Sequence, residues 1–297
     1  MYDVIILTES QYINPTEDSL YIKNVLNEDQ LLIDACNNIG LKTIKKAWDD
    51  DSFDWSTTKC IVFRTTWDYF HRFEEFSAWL KNVESKTQLI NSAKLIHWNV
   101  DKNYLGELSA KGVAIAPTLF VKAGERSTLQ DLYNEFGYSE VILKPCISGA
   151  ARHTYKINAS NVNEFESVFS ELISKEDMML QEFQAQIETK DEVSLMLLDG
   201  KYAQAGVPRA KKGDFRVQDD WGGTLESFEP SSKEIDFAEK ALAACFELPV
   251  YARVDIMWSE NNEPLLAELE LMEPEVWFRR DNLASHKMAN AIKNKLG

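Results

Sequence analysis

The strongest constraint on the fold is a regular alternation of short apolar runs with segments of helical periodicity in residues 1–91. From Ser19 to Ile39 the apolar residues recur at the spacing of one helix face, and Gly40 follows where a glycine commonly ends a helix. The same alternation predicts strands at Val4–Leu7, Lys59–Arg64 and Gln88–Asn91, and a helix at Arg72–Val83. This rhythm predicts an α/β fold whose N-terminal part is a parallel sheet covered by helices. Ligands of such sheets bind at the carboxyl ends of the strands, where Glu9, Ser10, Arg64 and Thr65 are expected.

The sequence after residue 91 contains further predicted helices and strands. The predicted helices contain Leu105 and Leu108 or cover Leu129–Phe136, Val162–Ile173, Ser232–Phe246 and Asn282–Lys295. The predicted strands are Thr118–Val121, Val141–Lys144, Met178–Phe183, Val193–Leu198, Tyr202–Val207, Tyr251–Trp258 and Leu265–Leu271. The length is too great for one simple core, so we expect several lobes.

Charge and cysteine usage exclude several function classes. The 48 acidic and 32 basic side chains give a formal charge of −16, which argues against nucleic-acid partners and against docking on anionic lipid. The N-terminus has no basic segment of a signal peptide, and no run of about 18 apolar residues predicts a membrane span. The four cysteines lack CxxC spacing, which favours reduced thiols in a cytoplasmic protein over a zinc site or disulfides.

Acidic residues near the C-terminus follow the periodicity of strands. Residues two apart share a strand face, so Arg253 and Asp255 point one way, and Glu268 and Glu270 share a face of the next strand. If these strands pair, Asp255, Glu268 and Glu270 converge, and a cation must offset their repulsion. Oxygen ligands without His or Cys suit Mg²⁺. The alternative is solvated charge on an exposed strand.

A second candidate region begins at Lys144, which ends the strand VILK before Pro145. The following CISGAARHT is a loop of small residues whose backbone N–H groups could approach phosphates. The segment matches no established phosphate-binding motif, so its alternative is an ordinary strand boundary.

An ordered set of segments resembles the ATP-grasp superfamily and, within it, the glutathione-synthetase-like branch that includes ribosomal-protein-modifying ligases and a cycloserine-forming cyclo-ligase. The segments span Asn91 to Pro274 and read NSAKLIHWNVDKNYL, GVAIAPT, VILKPCISGAARHT, MMLQEF, GDFRVQDDWGGT, YARVDI and PLLAELELMEP. FRTTWDY and FSAWL, nearer the N-terminus, resemble the cyclo-ligase-like subset. The resemblance implies an ATP-grasp fold with a pre-ATP-grasp domain at 1–91, a central lobe at 92–184 and a C-terminal lobe with the metal site at 185–297, the last two clasping ATP.

The resemblance also implies roles for individual residues. Those implied to bind the nucleotide are Lys102, Lys144, Ser148, Gly149, Ala150, Gln181, Glu182, Phe183 and Glu192. Arg216 is implied to bind the transferred phosphoryl group or the tetrahedral intermediate. Arg253 is expected to help bind the acceptor or the intermediate. Asp255, Glu268 and Glu270 are implied to hold two Mg²⁺ ions, with Mn²⁺ as an alternative. Glu270 stands where glutathione synthetases often have Asn, and the SGAARHT loop has less glycine than in many relatives, which leaves the substrate subclass open.

The implied activity is a ligase that uses ATP to turn a carboxylate into an acylphosphate, which an amine then attacks. The alternatives are a non-catalytic nucleotide-binding scaffold and a kinase that stops at the phosphorylated product. Small acids and amines are the expected partners, and a homodimer or homotetramer is left open. Four residues near the end of an N-terminal strand are expected to contact the substrate: Arg64, Trp67, Asp68 and Tyr69. For Arg64 the alternative is an internal salt bridge, and for Trp67 and Tyr69 it is packing between lobes.

Overall fold

The computed structural model of the protein describes residues 1–149, 151–209 and 224–297. The chain forms two compact units. The first comprises Met1–Asn99, Ser194–Val254 and Leu269–Gly297, and the second comprises Val100–Val193 and Asp255–Glu268. The predicted division into three lobes stays a prediction.

Strands and helices are interspersed along the described parts of the chain, as in an α/β protein. Strands β1 to β13 are Tyr2–Thr8, Thr43–Ala47, Thr58–Thr65, Gln88–Ile90, Thr118–Val121, Glu140–Pro145, Tyr155–Asn158, Met178–Glu182, Val193–Leu198, Lys201–Arg209, Thr224–Ser227, Tyr251–Trp258 and Pro264–Glu270. Helices α1 to α9 are Leu20–Asn38, Phe73–Val83, Ala93–Asn99, Tyr104–Ala110, Leu129–Phe136, Glu166–Ile173, Ile187–Lys190, Ser232–Ala243 and Asn282–Leu296. None of the described helices is both long and apolar enough to cross a membrane.

The N-terminal sheet has the strand order β2-β1-β3-β4 and is parallel throughout, which confirms the prediction. Helix α1 begins where the Ser19 hydroxyl accepts a hydrogen bond from the backbone of Ile22. It ends before Gly40, whose φ of +87° is a left-handed conformation that favours glycine. The sequence analysis did not predict β2, because the two lysines of TIKKA interrupt any apolar run.

The other two sheets lie further along the chain. One is antiparallel where its registers are known and has the order β11-β10-β9-β12-β13, which makes β12 and β13 neighbours. The other is antiparallel with the order β5-β8-β6-β7. Strands β7 and β11 were not predicted. Strands β12 and β13 contribute residues to both compact units.

Each unit has its own apolar core. In the first unit, strands β1 and β3 pack with α1, α9 and the chain around Tyr251. The Tyr251 hydroxyl is buried beside the carbonyl oxygens of Phe63, Ile90 and Met272, at 2.8 to 3.2 Å. In the second unit, the sheet of β5 to β8 packs against α5 and α6.

Candidate functional site

Three carboxylates meet on the neighbouring strands β12 and β13. One oxygen each from Asp255, Glu268 and Glu270 lies within 4.8 Å of the others. Strand alternation explains the arrangement, because the intervening Val254 and Leu269 point into the core and are 0 % and 1 % exposed. Asp255 itself is 1 % exposed. The structure thus brings together the three residues that the sequence analysis selected as metal ligands.

Two cations of the chain contact this carboxylate cluster. Lys102 Nζ lies 2.9 Å from Glu268 Oε1, and the Arg253 guanidinium pairs with the Glu270 carboxylate. Closely spaced oxygen ligands fit Mg²⁺, which combines protein carboxylates with substrate phosphates and water. Asp255, Glu268 and Glu270 are therefore suited to hold it.

Lys102 also contacts the loop of small residues. Its Nζ donates to the carbonyl oxygen of Ser148 at 2.8 Å, and its backbone N–H donates to the carbonyl oxygen of Cys146 at 2.9 Å. The side chain is almost completely buried, so its position is well defined. One ammonium group therefore joins the beginning of the loop to the metal-ligand candidate Glu268.

The loop after β6 has an unusual backbone. Ala151 and His153 have φ angles of 57° and 49°, which are left-handed values that side chains disfavour and that cluster at functional sites. Arg152 anchors the loop through two hydrogen bonds to Glu176, at 2.9 and 2.6 Å. The Ser148 hydroxyl donates to the carbonyl oxygen of Arg152, whose N–H in turn donates to the carbonyl oxygen of Gly149. Two predicted site residues, Ala150 and Arg216, lie outside the described residues.

Lys144 lies on β6 beside Gln181 of β8, with 3.3 Å between its Nζ and Gln181 Oε1. Burial and the nearby positive charge of Lys102 lower the pKa of Lys144, while Glu268 and Glu192 oppose that shift. A buried ammonium next to another ammonium is stabilised by an anion. The surroundings of Lys144 thus suit a negatively charged ligand, and Glu192 is near enough to act on it electrostatically.

The predicted adenine-binding segment comprises the end of β8 and the residue after it. Gln181 is 3 % exposed and donates to the Thr118 hydroxyl, while the Phe183 ring lies 3.6 Å from Lys156 Nζ. The backbone N–H groups of Glu182 and Phe183 already donate to protein carbonyl oxygens. This segment can therefore contact a nucleotide base through the carbonyl oxygens and side chains of these residues.

The predicted substrate residues fall into different environments. Arg64 is 1 % exposed, donates to the carbonyl oxygen of Pro274 at 2.7 Å and lies 3.8 Å from the Asp29 carboxylate. These contacts match the internal salt bridge that the sequence left open. Trp67 donates from its indole N–H to the carbonyl oxygen of Glu273, and Tyr69 is buried. The expected role of these two residues in binding the substrate stays a prediction.

Asp68 instead belongs to a group of acidic residues that the sequence analysis recognised only in part. Asp68 and Asp49 both accept hydrogen bonds from Arg72, at 2.9 and 2.7 Å, and Asp68 is in hydrogen-bond contact with Glu9. We call Glu9, Asp49 and Asp68 the strand-end cluster. Asp49 was missed because β2, the strand that precedes it, was not predicted. A search for acidic residues just after every strand would have found it.

Comparisons with known proteins show which families the chain resembles. Residues 4–91 match the family of the N-terminal domain of D-cycloserine synthetase DcsG, and residues 109–247 match the ATP-grasp domain of prokaryotic glutathione synthetase. The cycloserine biosynthesis protein DcsG of Streptomyces lavendulae is 26 % identical over 284 residues, covering 89 % of this chain and 92 % of that protein.

Two solved structures show the same fold. The crystal structure of D-cycloserine synthetase DcsG superposes with a TM-score of 0.85 at 24 % identity and covers 99 % of both chains. D-alanine–D-alanine ligase from Bacillus anthracis gives a TM-score of 0.67 at 13 % identity and covers 100 % of this chain and 97 % of its own. The fold predicted from the sequence motifs is therefore confirmed.

Proposed function

The chain is an ATP-grasp ligase, and from that premise we propose that it joins a carboxylate to an amine on a small amino-acid-like substrate, with an acylphosphate intermediate and release of ADP and phosphate. The observation that carries the proposal is the contact of Lys102 with both Glu268 and Ser148. This contact joins a set of Mg²⁺ ligand candidates to a loop suited to phosphates.

The carboxylate must be activated before an amine can attack it, because it repels nucleophiles and has no usable leaving group. ATP supplies the phosphoryl group that activates it, and Mg²⁺ offsets the charge of the phosphates. We propose that Asp255, Glu268 and Glu270 hold two Mg²⁺ ions, with Mn²⁺ as a substitute. Catalysis by the chain is then mainly positioning and electrostatic stabilisation, and it requires no nucleophilic side chain.

Each basic residue of the site has its own role in the proposed reaction. Lys144, which is half-buried, would supply positive charge to the phosphates, and its lowered pKa indicates an environment that gains from an anion. Lys102 orients both the loop and Glu268. Arg253 holds the Glu270 carboxylate and is proposed to bind the acceptor or the intermediate. Arg216 is proposed to bind the transferred phosphoryl group.

The proposed binding residues for adenine and ribose lie further along the chain, after the loop of small residues that follows β6. We propose that Gln181, Glu182 and Phe183 hold adenine and that Glu192 binds ribose. The buried carboxamide of Gln181 beside Lys144 supports this, because it links the adenine segment to the phosphate region.

The net charge of the protein and its free thiols support proposals about its binding partners and its cellular compartment. We propose small-molecule substrates without nucleic acid or membrane, because a net charge of −16 disfavours polyanionic surfaces. The four cysteines are free thiols, which supports a cytoplasmic location.

The decisive experiment measures ADP release with pooled amino acids and dipeptides as acids and amines. We expect ADP and phosphate only when both an acid and an amine are present, and mass spectrometry of the product identifies the pair. ATP binding without turnover across the whole panel would support a scaffold protein instead. A stable phosphorylated product in the absence of amine would identify a kinase.

A further inference from the structure

The strand-end cluster occupies the edge of the parallel sheet where ligands of α/β folds bind. Glu9 follows β1, Asp49 follows β2 and Asp68 follows β3, and these three strands are adjacent in the sheet. Parallel strands end at the same edge, so three acidic residues far apart in sequence come together there. The carboxyl group of Glu9 is in hydrogen-bond contact with Asp68, and it also interacts electrostatically with the negative charge of Asp49.

The cations around the cluster leave one carboxyl oxygen of Glu9 without a hydrogen-bond donor. Arg72 binds Asp49 and Asp68 and also Glu75, so a single guanidinium serves several carboxylates. Glu9 is 4 % exposed, and its Oε1 is buried without a hydrogen-bond partner among the described residues. A buried acceptor without a donor costs free energy, on the order of 1–3 kcal/mol. A ligand that donates a hydrogen bond at this point would remove that cost.

The protonation of Glu9 indicates the charge of such a ligand. Burial, together with the negative charge of Asp68 and Asp49, raises the pKa of Glu9 to about 8. At neutral pH the carboxyl group therefore carries a proton in place of a cation. A positively charged donor could take that position and leave Glu9 ionised. The nearby Asp29 does not compete for it, because Lys45 and Arg64 already pair with Asp29.

The strand-end cluster suits an organic cation better than a metal ion. Among the described residues, the group of three acidic, His or Cys side chains placed to hold a metal ion is Asp255, Glu268 and Glu270, and it includes no member of the strand-end cluster. A primary ammonium group has three N–H donors that point in different directions, so it can donate to Glu9 Oε1 and still face the other carboxylates.

We propose that the strand-end cluster binds the primary ammonium group of a small amine-bearing substrate, with Glu9 Oε1 as an acceptor that a bound ammonium satisfies. The proposal rests on the ligase function proposed above, because it names the group by which that enzyme recognises one substrate. In binding, Glu9 releases its proton to solvent and the ammonium takes its place. Asp49 and Asp68 supply the remaining negative charge.

The test uses the full chain with methylammonium as the probe, and amide NMR shifts of the strand-end cluster report binding. We expect Glu9→Gln to weaken methylammonium binding by about tenfold or more, because the amide keeps the shape of the side chain without its charge. Glu75→Gln is the matched control, since it also removes a carboxylate bound to Arg72 but lies outside the cluster, and it should change the affinity less than about twofold. Asp49→Asn should weaken binding in the same direction as Glu9→Gln.

Two comparisons complete the test. Binding should tighten between about pH 6 and about pH 9 in the wild type but not in Glu9→Gln, because only the wild type must release the Glu9 proton. Tetramethylammonium, which has the charge without N–H donors, should bind more weakly. Equal affinity of the wild type and Glu9→Gln, or no shift up to about 100 mM methylammonium, would overturn the proposal. The measurement needs neither ATP nor turnover, so its failure would leave the ligase function standing.

Discussion

Lys102 Nζ lies 2.9 Å from Glu268 Oε1 and 2.8 Å from the carbonyl oxygen of Ser148. A single buried ammonium thus contacts a metal-ligand candidate on β13 and the loop that follows β6. Glu268 and Ser148 are distant in sequence, so their link depends on the folded chain. If the ligase function is right, substitutions here should affect turnover much more than stability.

Lys144→Ala should abolish turnover. The substitution removes a half-buried positive charge that is proposed to stabilise the phosphates, and the loss should be at least about a hundredfold in kcat. ADP release with the substrates found in the panel measures it. Lys122→Ala is the control, because Lys122 is an exposed lysine paired with Asp177. A Lys144→Ala enzyme with full activity would refute the assignment of the site.

Asp255→Asn should change the metal requirement. The substitution keeps the shape of a buried ligand candidate but removes its charge, so the Mg²⁺ concentration for half-maximal ADP release should rise by about tenfold or more. Glu263→Gln, on the exposed turn between β12 and β13, controls for the loss of an acidic residue in the same hairpin. Chelation of divalent ions should stop turnover in the wild type. An unchanged Mg²⁺ dependence in Asp255→Asn would show that this carboxylate is no metal ligand.

Arg64→Met should destabilise the first unit. Both Arg64 and Asp29 are 1 % exposed, and the substitution removes one of the two cations that pair with Asp29, the other being Lys45. It also removes the donor to the carbonyl oxygen of Pro274, so we expect the free energy of unfolding, measured with urea, to fall by about 2 kcal/mol. Lys23→Met breaks the exposed pair with Asp18 and should cost less than about 1 kcal/mol. A raised KM with unchanged stability would instead assign Arg64 to substrate binding.

The stability of the wild type relative to Glu9→Gln should depend on pH. The pKa of Glu9 is raised from 4.5 to about 8 in the folded protein, so between these values the folded state holds a proton that the unfolded state has released. The contribution of Glu9 to the free energy of unfolding is therefore fully present below pH 4.5 and is lost as the pH rises to about 8. Urea unfolding at several pH values should show the wild type losing stability relative to the variant, by at most about 1.4 kcal/mol per pH unit. A constant difference between them would contradict the raised pKa.

Much of the fold and the site could be predicted because the relevant signals are local. Helix α1 is encoded by one apolar face and the glycine after it, and Tyr251–Trp258 was predicted with the bounds that the structure shows. The convergence of Asp255, Glu268 and Glu270 needed only the two-residue period of strands and one pairing. The motif order predicted the superfamily, which the comparisons confirmed.

The sequence by itself thus determined which residues share a strand face, where helices end and which superfamily the chain belongs to, since periodicity and motif spacing depend on neighbours along the chain. Only the tertiary structure decided that Arg64 is paired with Asp29 and that Glu9 is buried beside Asp49 and Asp68. The physical reason is that burial and charge pairing depend on which elements pack together. Strand β2 shows this most directly, because TIKKA has no strand pattern of its own and becomes a strand by pairing with β1.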